Sequence, residues 1–121
     1  MLEYNKYLSK SNWVIIMVWM ETIGCSGKKG KDARLRRMIK ARLEFKRRQD
    51  GCLGAWVGRG AEDDTMLLVQ SAFTSAQAWK RISSEIKESL DAQDGGIESL
   101  LMGPPLVGIF EIDEDDFKIL D

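Results

Sequence analysis

Histidine is absent from the 121 residues. That removes the commonest metal ligand and the side chain that most often serves as a base near neutral pH. It also excludes Ser-His and Cys-His nucleophiles and any His-ligated haem. Cysteine is scarce: Cys25 and Cys52 form no CxxC pair, so neither a zinc site nor a thioredoxin motif is present. Two thiols in a chain of this size fit a reducing compartment, and the cytoplasm is the default expectation. Long apolar runs are lacking too. The longest, Trp13–Met20, falls short of the roughly 20 apolar residues that a membrane span needs. Lys6 and Lys10 precede it and Thr22-Ile23-Gly24-Cys25 follows, in the manner of a lipoprotein leader. Glu21 sits where such a leader stays uncharged, so a buried strand is the better reading. A net charge of −1 gives no bulk attraction to nucleic acid or membrane.

What is present is ordinary for one globular domain: 44% hydrophobic and 31% charged residues, enough for a packed core. The charge is unevenly placed. Residues 28–48 carry eleven Lys and Arg against Asp32 and Glu44, whereas residues 111–121 carry six acids and Lys118. The basic stretch reads as a solvated helix face that complements the acidic tail.

Alternating patterns give the element order. Residues 1–11 read as a loose polar arm, residues 12–113 as the domain and residues 114–121 as an exposed acidic tail, from which Phe117, Ile119 and Leu120 could dock. The run Trp13–Met20 predicts a strand buried on both faces, broken by Gly24-Cys25-Ser26-Gly27. From Asp32, a plausible N-cap, Leu35, Met38, Ile39, Leu43 and Phe45 form a helical stripe that ends near Asp50-Gly51. Strands follow over residues 52–60, with Leu53, Ala55 and Val57 opposed to Trp56, and over residues 65–73. Thr74 or Ser75 caps a second helix with the stripe Ala76, Trp79, Ile82, Ile86 and Leu90, stopped by Gly95-Gly96. A last strand covers residues 106–112.

The order β-α-β-β-α-β predicts an α+β, ferredoxin-like fold: a four-stranded antiparallel sheet with two helices on one face. Two helices shelter only that face. The first and third strands are apolar on both sides, and leaving such side chains wet costs about 1.5–3 kcal/mol each. A homodimer through the open sheet face is the expected remedy.

Three segments carry a resemblance to a known family: Trp13–Trp19, the junction Asp50-Gly51-Cys52-Leu53-Gly54-Ala55-Trp56, and the stretch Asp64–Trp79. Together they resemble the dimeric α/β-barrel superfamily, in particular its antibiotic biosynthesis monooxygenase-like group, with Asp50 standing where that group has proline. The resemblance implies a pocket between sheet and helices. It also implies an Asn at the first strand and a Trp near the second helix that hold an aromatic substrate for reaction with oxygen, without a cofactor. Asn12 and Trp79 are the nearest matches. The family's haem-degrading branch needs a histidine, which this chain lacks.

Each candidate has a plainer role beside the functional one. Trp79 also sits where a helix stripe wants a large apolar residue, and Asn12 where a turn precedes a strand. Arg42 falls inside the first helix's apolar stripe, so it can hold an anionic ligand or simply lay its stem on the core. Trp19 and Trp56 are further aromatic surfaces for a substrate. Arg34, Arg36, Arg37, Lys40, Arg47 and Arg48 could meet phosphates, but the strands lack the base-stacking aromatics of an RNA-recognition sheet. Arg59, between Gly58 and Gly60, precedes no helix and so makes no phosphate loop. Cys52 reads as buried and inert, Cys25 in its Gly/Ser stretch as the more reactive thiol. Glu62, Asp63 and Asp64 read as a turn, and no metal site is expected. Two functions follow: a cofactor-independent monooxygenase-like enzyme acting on a small aromatic compound, or a non-catalytic small-molecule-binding or interaction protein of the same fold.

Overall fold

The computed structural model describes residues 16–118. The elements run β1 (Met17–Ser26), α1 (Asp32–Arg47), β2 (Cys52–Arg59), β3 (Met66–Phe73), α2 (Ala76–Ile86), a π-helical continuation (Lys87–Asp91), the single turn α3 (Ala92–Asp94), a 3-10 turn (Glu98–Leu100), β4 (Leu106–Asp113) and α4 (Glu114–Lys118). All strand pairs are antiparallel, in the order β2-β3-β1-β4. This is the expected ferredoxin-like α+β sheet. Among the described residues, no helix is long and apolar enough to cross a membrane.

Several boundaries move, each for a local reason. Gly24, Cys25 and Ser26 do not break β1; they pair with Leu68, Leu67 and Met66 across the β3 ladder. Trp13, with the expected start of that strand, lies outside the described residues, as does Asn12. Asp32 is the first residue of α1 rather than its cap, which is Lys31; the Asp32 carboxylate instead holds Arg36 at 2.9 Å. Leu53 leaves the inward alternation because the β2–β3 register shifts between Cys52 and Gly54, and this bulge exposes it to 49%. Ser75 caps α2, accepting the Ala78 N–H through its side chain. Gly95 ends α3 at φ +87°, a left-handed turn that favours glycine.

The core lies between the helices and the inner sheet face. Leu35, Met38, Ile39 and Leu43 of α1 pack on Ala55, Leu67 and Val69, and Ile82 and Ile86 of α2 pack on Phe73. Cys25 packs half-buried at the edge of the first cluster. Burial pushes its thiol pKa up, so it does not have the environment of a reactive cysteine. The Cys52 thiol is half-buried and pushed up as well, by burial.

The outer face divides in two. At one end α4 folds back so that Phe117 packs on Val18, Met20, Ala72 and Ile112. The segment read as an exposed tail therefore docks through Phe117, on the side of the sheet opposite α1, and α4 does not neutralise the basic helix. At the other end Trp56 (37% exposed), Leu68 (45%) and Phe110 (55%) are uncovered, together with Met66 and Leu106. A short polar ladder crosses between them: Trp56 donates to Gln70 at 2.9 Å, and Gln70 donates to Thr22 at 3.3 Å.

Candidate functional site

Period-two alternation along β1 sends Trp19, Glu21, Ile23 and Cys25 to the inner face. Glu21 is thus a carboxylate aimed at the core side of the sheet, and the helices supply its partners. Lys46, on the buried stripe of α1, brings its ammonium to 3.5 Å from Glu21 Oε1 and donates to Ser71 Oγ at 2.9 Å. Trp79, from the first turns of α2, donates its indole N–H to Glu21 Oε2 at 3.0 Å. The Trp79 ring is tilted 39° against Trp19, with centroids 5.9 Å apart. The ion pair is withdrawn from solvent, at 8% side-chain exposure for Lys46 and 14% for Glu21. Among the described residues, the buried indole N–H of Trp19 has no hydrogen-bond partner.

Glu21 and Lys46 line a cleft of about 610 Å³ between the inner sheet face and the helices, with Ile23, Arg42, Ile86 and Asp91 on its walls. That volume suits a small organic molecule. Arg42 builds one wall. It is buried in the apolar stripe of α1, and its guanidinium donates to both carboxylate oxygens of Asp94 (2.8 and 2.9 Å) and to Asp91 Oδ1 at 2.5 Å. Asp91 and Asp94 are three residues apart, so one helix face presents both. Burial works against the guanidinium's charge, but the hydrogen bonds to Asp94 and Asp91 outweigh it and raise the Arg42 pKa. The same hydrogen bond from Arg42 holds the Asp94 carboxyl below its ordinary range. The clamp pins the π-helical segment and α3 onto α1, which closes that side of the cleft.

Of the residues marked by the sequence, the structure brings Trp19, Trp79 and Arg42 to the inner side. Arg42 lines the cleft, while Trp79 reaches it through Glu21. Trp56 stands on the outer face, separated from the cleft by the sheet. Asn12 lies outside the described residues. Among the described residues, no group of His, Cys, Asp or Glu could hold a metal ion. Glu21 and Lys46 escaped the sequence reading. Glu21 was visible as the one charge inside an apolar strand, and Lys46 as the residue one helical turn beyond Arg42.

A ferredoxin-like sheet with a ligand-sized cleft beneath two helices defines the structural class. No family model matches the sequence, and no curated protein is significantly similar to it. Solved structures share the fold. A conserved protein from Methanosarcina mazei superposes with a TM-score of 0.71 at 13% identity, over 81% of this chain and 95% of its own. A candidate antibiotic biosynthesis monooxygenase from Nitrosomonas europaea gives 0.66 at 14% identity, over 81% and 91%. SnoaB, a cofactor-independent oxygenase from Streptomyces nogalater, gives 0.65 at 16% identity, over 77% and 90%. The likeness to the antibiotic biosynthesis monooxygenase-like group holds at the level of fold.

Proposed function

We propose that this chain forms a homodimer through the uncovered part of its outer sheet face and binds a small aromatic compound in the cleft, which it oxidises with molecular oxygen and no cofactor. The observation that carries the reading is the Glu21–Lys46 pair in a cleft whose walls combine the isoleucines Ile23, Ile86 and Ile97 with the Arg42–Asp91 clamp. A ring CH₂ flanked by aromatic carbonyl or hydroxyl groups is acidic enough to yield an electron-rich carbanion, and such a carbanion reduces oxygen by itself. Glu21 takes the proton, and Lys46 stabilises the oxyanion into which the charge delocalises. Oxygen adds to the carbon as a hydroperoxide, and loss of water leaves a carbonyl, so R₂CH₂ + O₂ gives R₂C=O + H₂O. Trp79 is a positioning residue in this scheme, fixing Glu21 through its indole N–H. Direct contact with the substrate, which the family resemblance implies for Asn12 and Trp79, is kept in this proposal for Asn12 alone, while Trp79 acts through Glu21 and Trp56 faces the partner copy.

The test is oxygen uptake with a tricyclic aromatic ketone bearing an acidic ring CH₂. The wild type should consume one O₂ per molecule converted, and Glu21→Gln should lose at least about 100-fold in rate. Trp79→Phe should lose less, with the Glu21 requirement unchanged. Uptake that survives Glu21→Gln would refute the assignment.

One observation favours a second reading, ligand binding without turnover: Arg42 is already held by two carboxylates, and Lys46 by Ser71 and Glu21. Quenching of Trp19 and Trp79 fluorescence by the same ketone, with no oxygen uptake, would support it.

A further inference from the structure

A second concavity lies elsewhere, at the sheet's β2 edge. The first half of α1 and the end of β2 enclose a groove of about 370 Å³ lined by Arg36, Arg37, Lys40 and Arg59 over Ile39, Val57 and Leu67. Its floor is apolar: Ile39 and Leu67 are buried members of the main core cluster, and Val57 packs against them. Its rim is cationic, with no carboxylate in the lining. Two elements create the convergence. Arg36, Arg37 and Lys40 share one side of α1 by helical spacing, while Arg59, two residues beyond Val57 on β2, projects from the same inner face toward them.

Arg36 is held in place by the Asp32 carboxylate and by the Asp64 carbonyl, each at 2.9 Å. Among the described residues, Arg37, Lys40 and Arg59 make no ion pair, although the Glu62-Asp63-Asp64 turn follows directly on β2. The acidic α4, which could have neutralised them, sits across the sheet on Val18 and Met20. With Arg36 paired to Asp32, the three other cations, Arg37, Lys40 and Arg59, leave a net positive charge around the concavity, and a walled recess of one dominant sign concentrates that field on whatever anion enters. Forked guanidinium donors match the oxygens of a phosphate, and the apolar floor matches a ring or short chain.

We infer that this groove is a binding site for a small organic phosphate with an apolar body, separate from the cleft that holds Glu21 and independent of the reaction proposed there. A recess of about 370 Å³ matches the size of a compact ligand.

The probe is phenyl phosphate, titrated into the full chain at low salt with backbone amide shifts followed by NMR. Saturable shifts should cluster at Ile39, Val57, Arg59 and Leu67 and leave Glu21 and Ser83 unmoved. Arg59→Gln and Arg37→Gln, both exposed substitutions that leave the core intact, should each weaken binding about tenfold or more. Trp79→Phe should not change it. Inorganic phosphate should bind more weakly than phenyl phosphate, because it cannot use the floor. Four outcomes would overturn the inference: no saturable shifts, affinity retained in both arginine variants, inorganic phosphate binding as tightly as phenyl phosphate, or binding confined to long polyanions such as single-stranded DNA. None of these bears on oxygen uptake, so the two proposals fail separately.

Discussion

Removing the Lys46 ammonium while leaving Glu21 in place should be among the most damaging single changes in this chain. In Lys46→Met the side chain keeps its volume and apolar stem, so packing against Ser71 and the α1 stripe is largely conserved. What changes is electrostatic. Glu21, at 14% exposure, loses its cation and keeps only the neutral Trp79 N–H as a donor. Stranding one member of a buried ion pair costs about 3–5 kcal/mol. Because the pair borders an open cleft, water can reach the carboxylate in part, and the lower end, about 3 kcal/mol, is expected. For a domain of this size that corresponds to a fall of about 12 °C in melting temperature. The assay is urea and thermal unfolding at pH 7, followed by tryptophan fluorescence and circular dichroism at one fixed protein concentration, since the stability of the proposed dimer would depend on concentration. The double variant Glu21→Gln/Lys46→Met supplies the control. It removes both charges but retains an amide oxygen for the Trp79 indole, and should recover about 1–2 kcal/mol of the loss. If Lys46→Met costs less than about 1 kcal/mol, or the double variant is no better than the single, then the pair does not hold β1 to α1 as argued.

The Arg42 clamp makes an acid-side prediction. The folded-state pKa of Asp94 lies below its ordinary 3.8, so its contribution to stability is complete above that value and disappears as pH falls through the lowered one. Asp94→Asn should therefore be less stable than wild type at pH 7, and in a denaturation series the gap should hold down to pH 3.8 and narrow only as the pH falls further, through the lowered pKa. Phe110→Glu places a charge on the uncovered outer face, and light scattering should show the proposed dimer replaced by a folded monomer; a dimeric mass that the substitution leaves unchanged would disprove that interface. Gly51→Ala puts a side chain at φ +94° with its Cβ only 2.7 Å from the Ala78 Cβ, so a loss of at least about 1 kcal/mol in unfolding free energy is expected. Cys25 should react with a thiol reagent at pH 8 far more slowly in the folded chain than in urea, since burial disfavours its thiolate.

The fold was legible because its signals are local. Ser75 before an apolar stripe, Gly95 after one, and strands with residues alternating across two faces each mark an element without reference to the others. The errors fall where a long-range partner overrides the local preference. Gly24 sits in a strand because β3 and β4 pair with it on either side, through Leu68 and Leu106. Leu53 turns outward because the β2–β3 ladder slips by a residue, which no single-strand pattern encodes. The acidic tail read as exposed by composition but with Phe117 among the residues that could dock, and it is Phe117 that packs α4 on the outer face.

The cleft was harder to see, because its chemistry is carried by charged residues at positions that binary patterning assigns to the core. Arg42 stood out, being the charge within its stripe; Lys46, four residues on, was absorbed into the general basicity of α1. In the folded chain these two differ from the other cations of that helix. Arg42 and Lys46 point inward and are neutralised, Arg42 by Asp91 and Asp94 of the neighbouring helical segment and Lys46 by Glu21 of the sheet, whereas Arg37 and Lys40 point along the β2 edge, unpaired by any described carboxylate. A buried cation without a partner would be expelled or discharged, so the inward pair required carboxylates on β1 and on the turns after α2, and the chain supplies them at Glu21, Asp91 and Asp94. No such requirement acts on the outward set, which water can solvate. Its clustering over an apolar floor therefore has no folding explanation, and that contrast between paired and unpaired charge on one helix separates what α1 contributes to the fold from what it offers to a ligand.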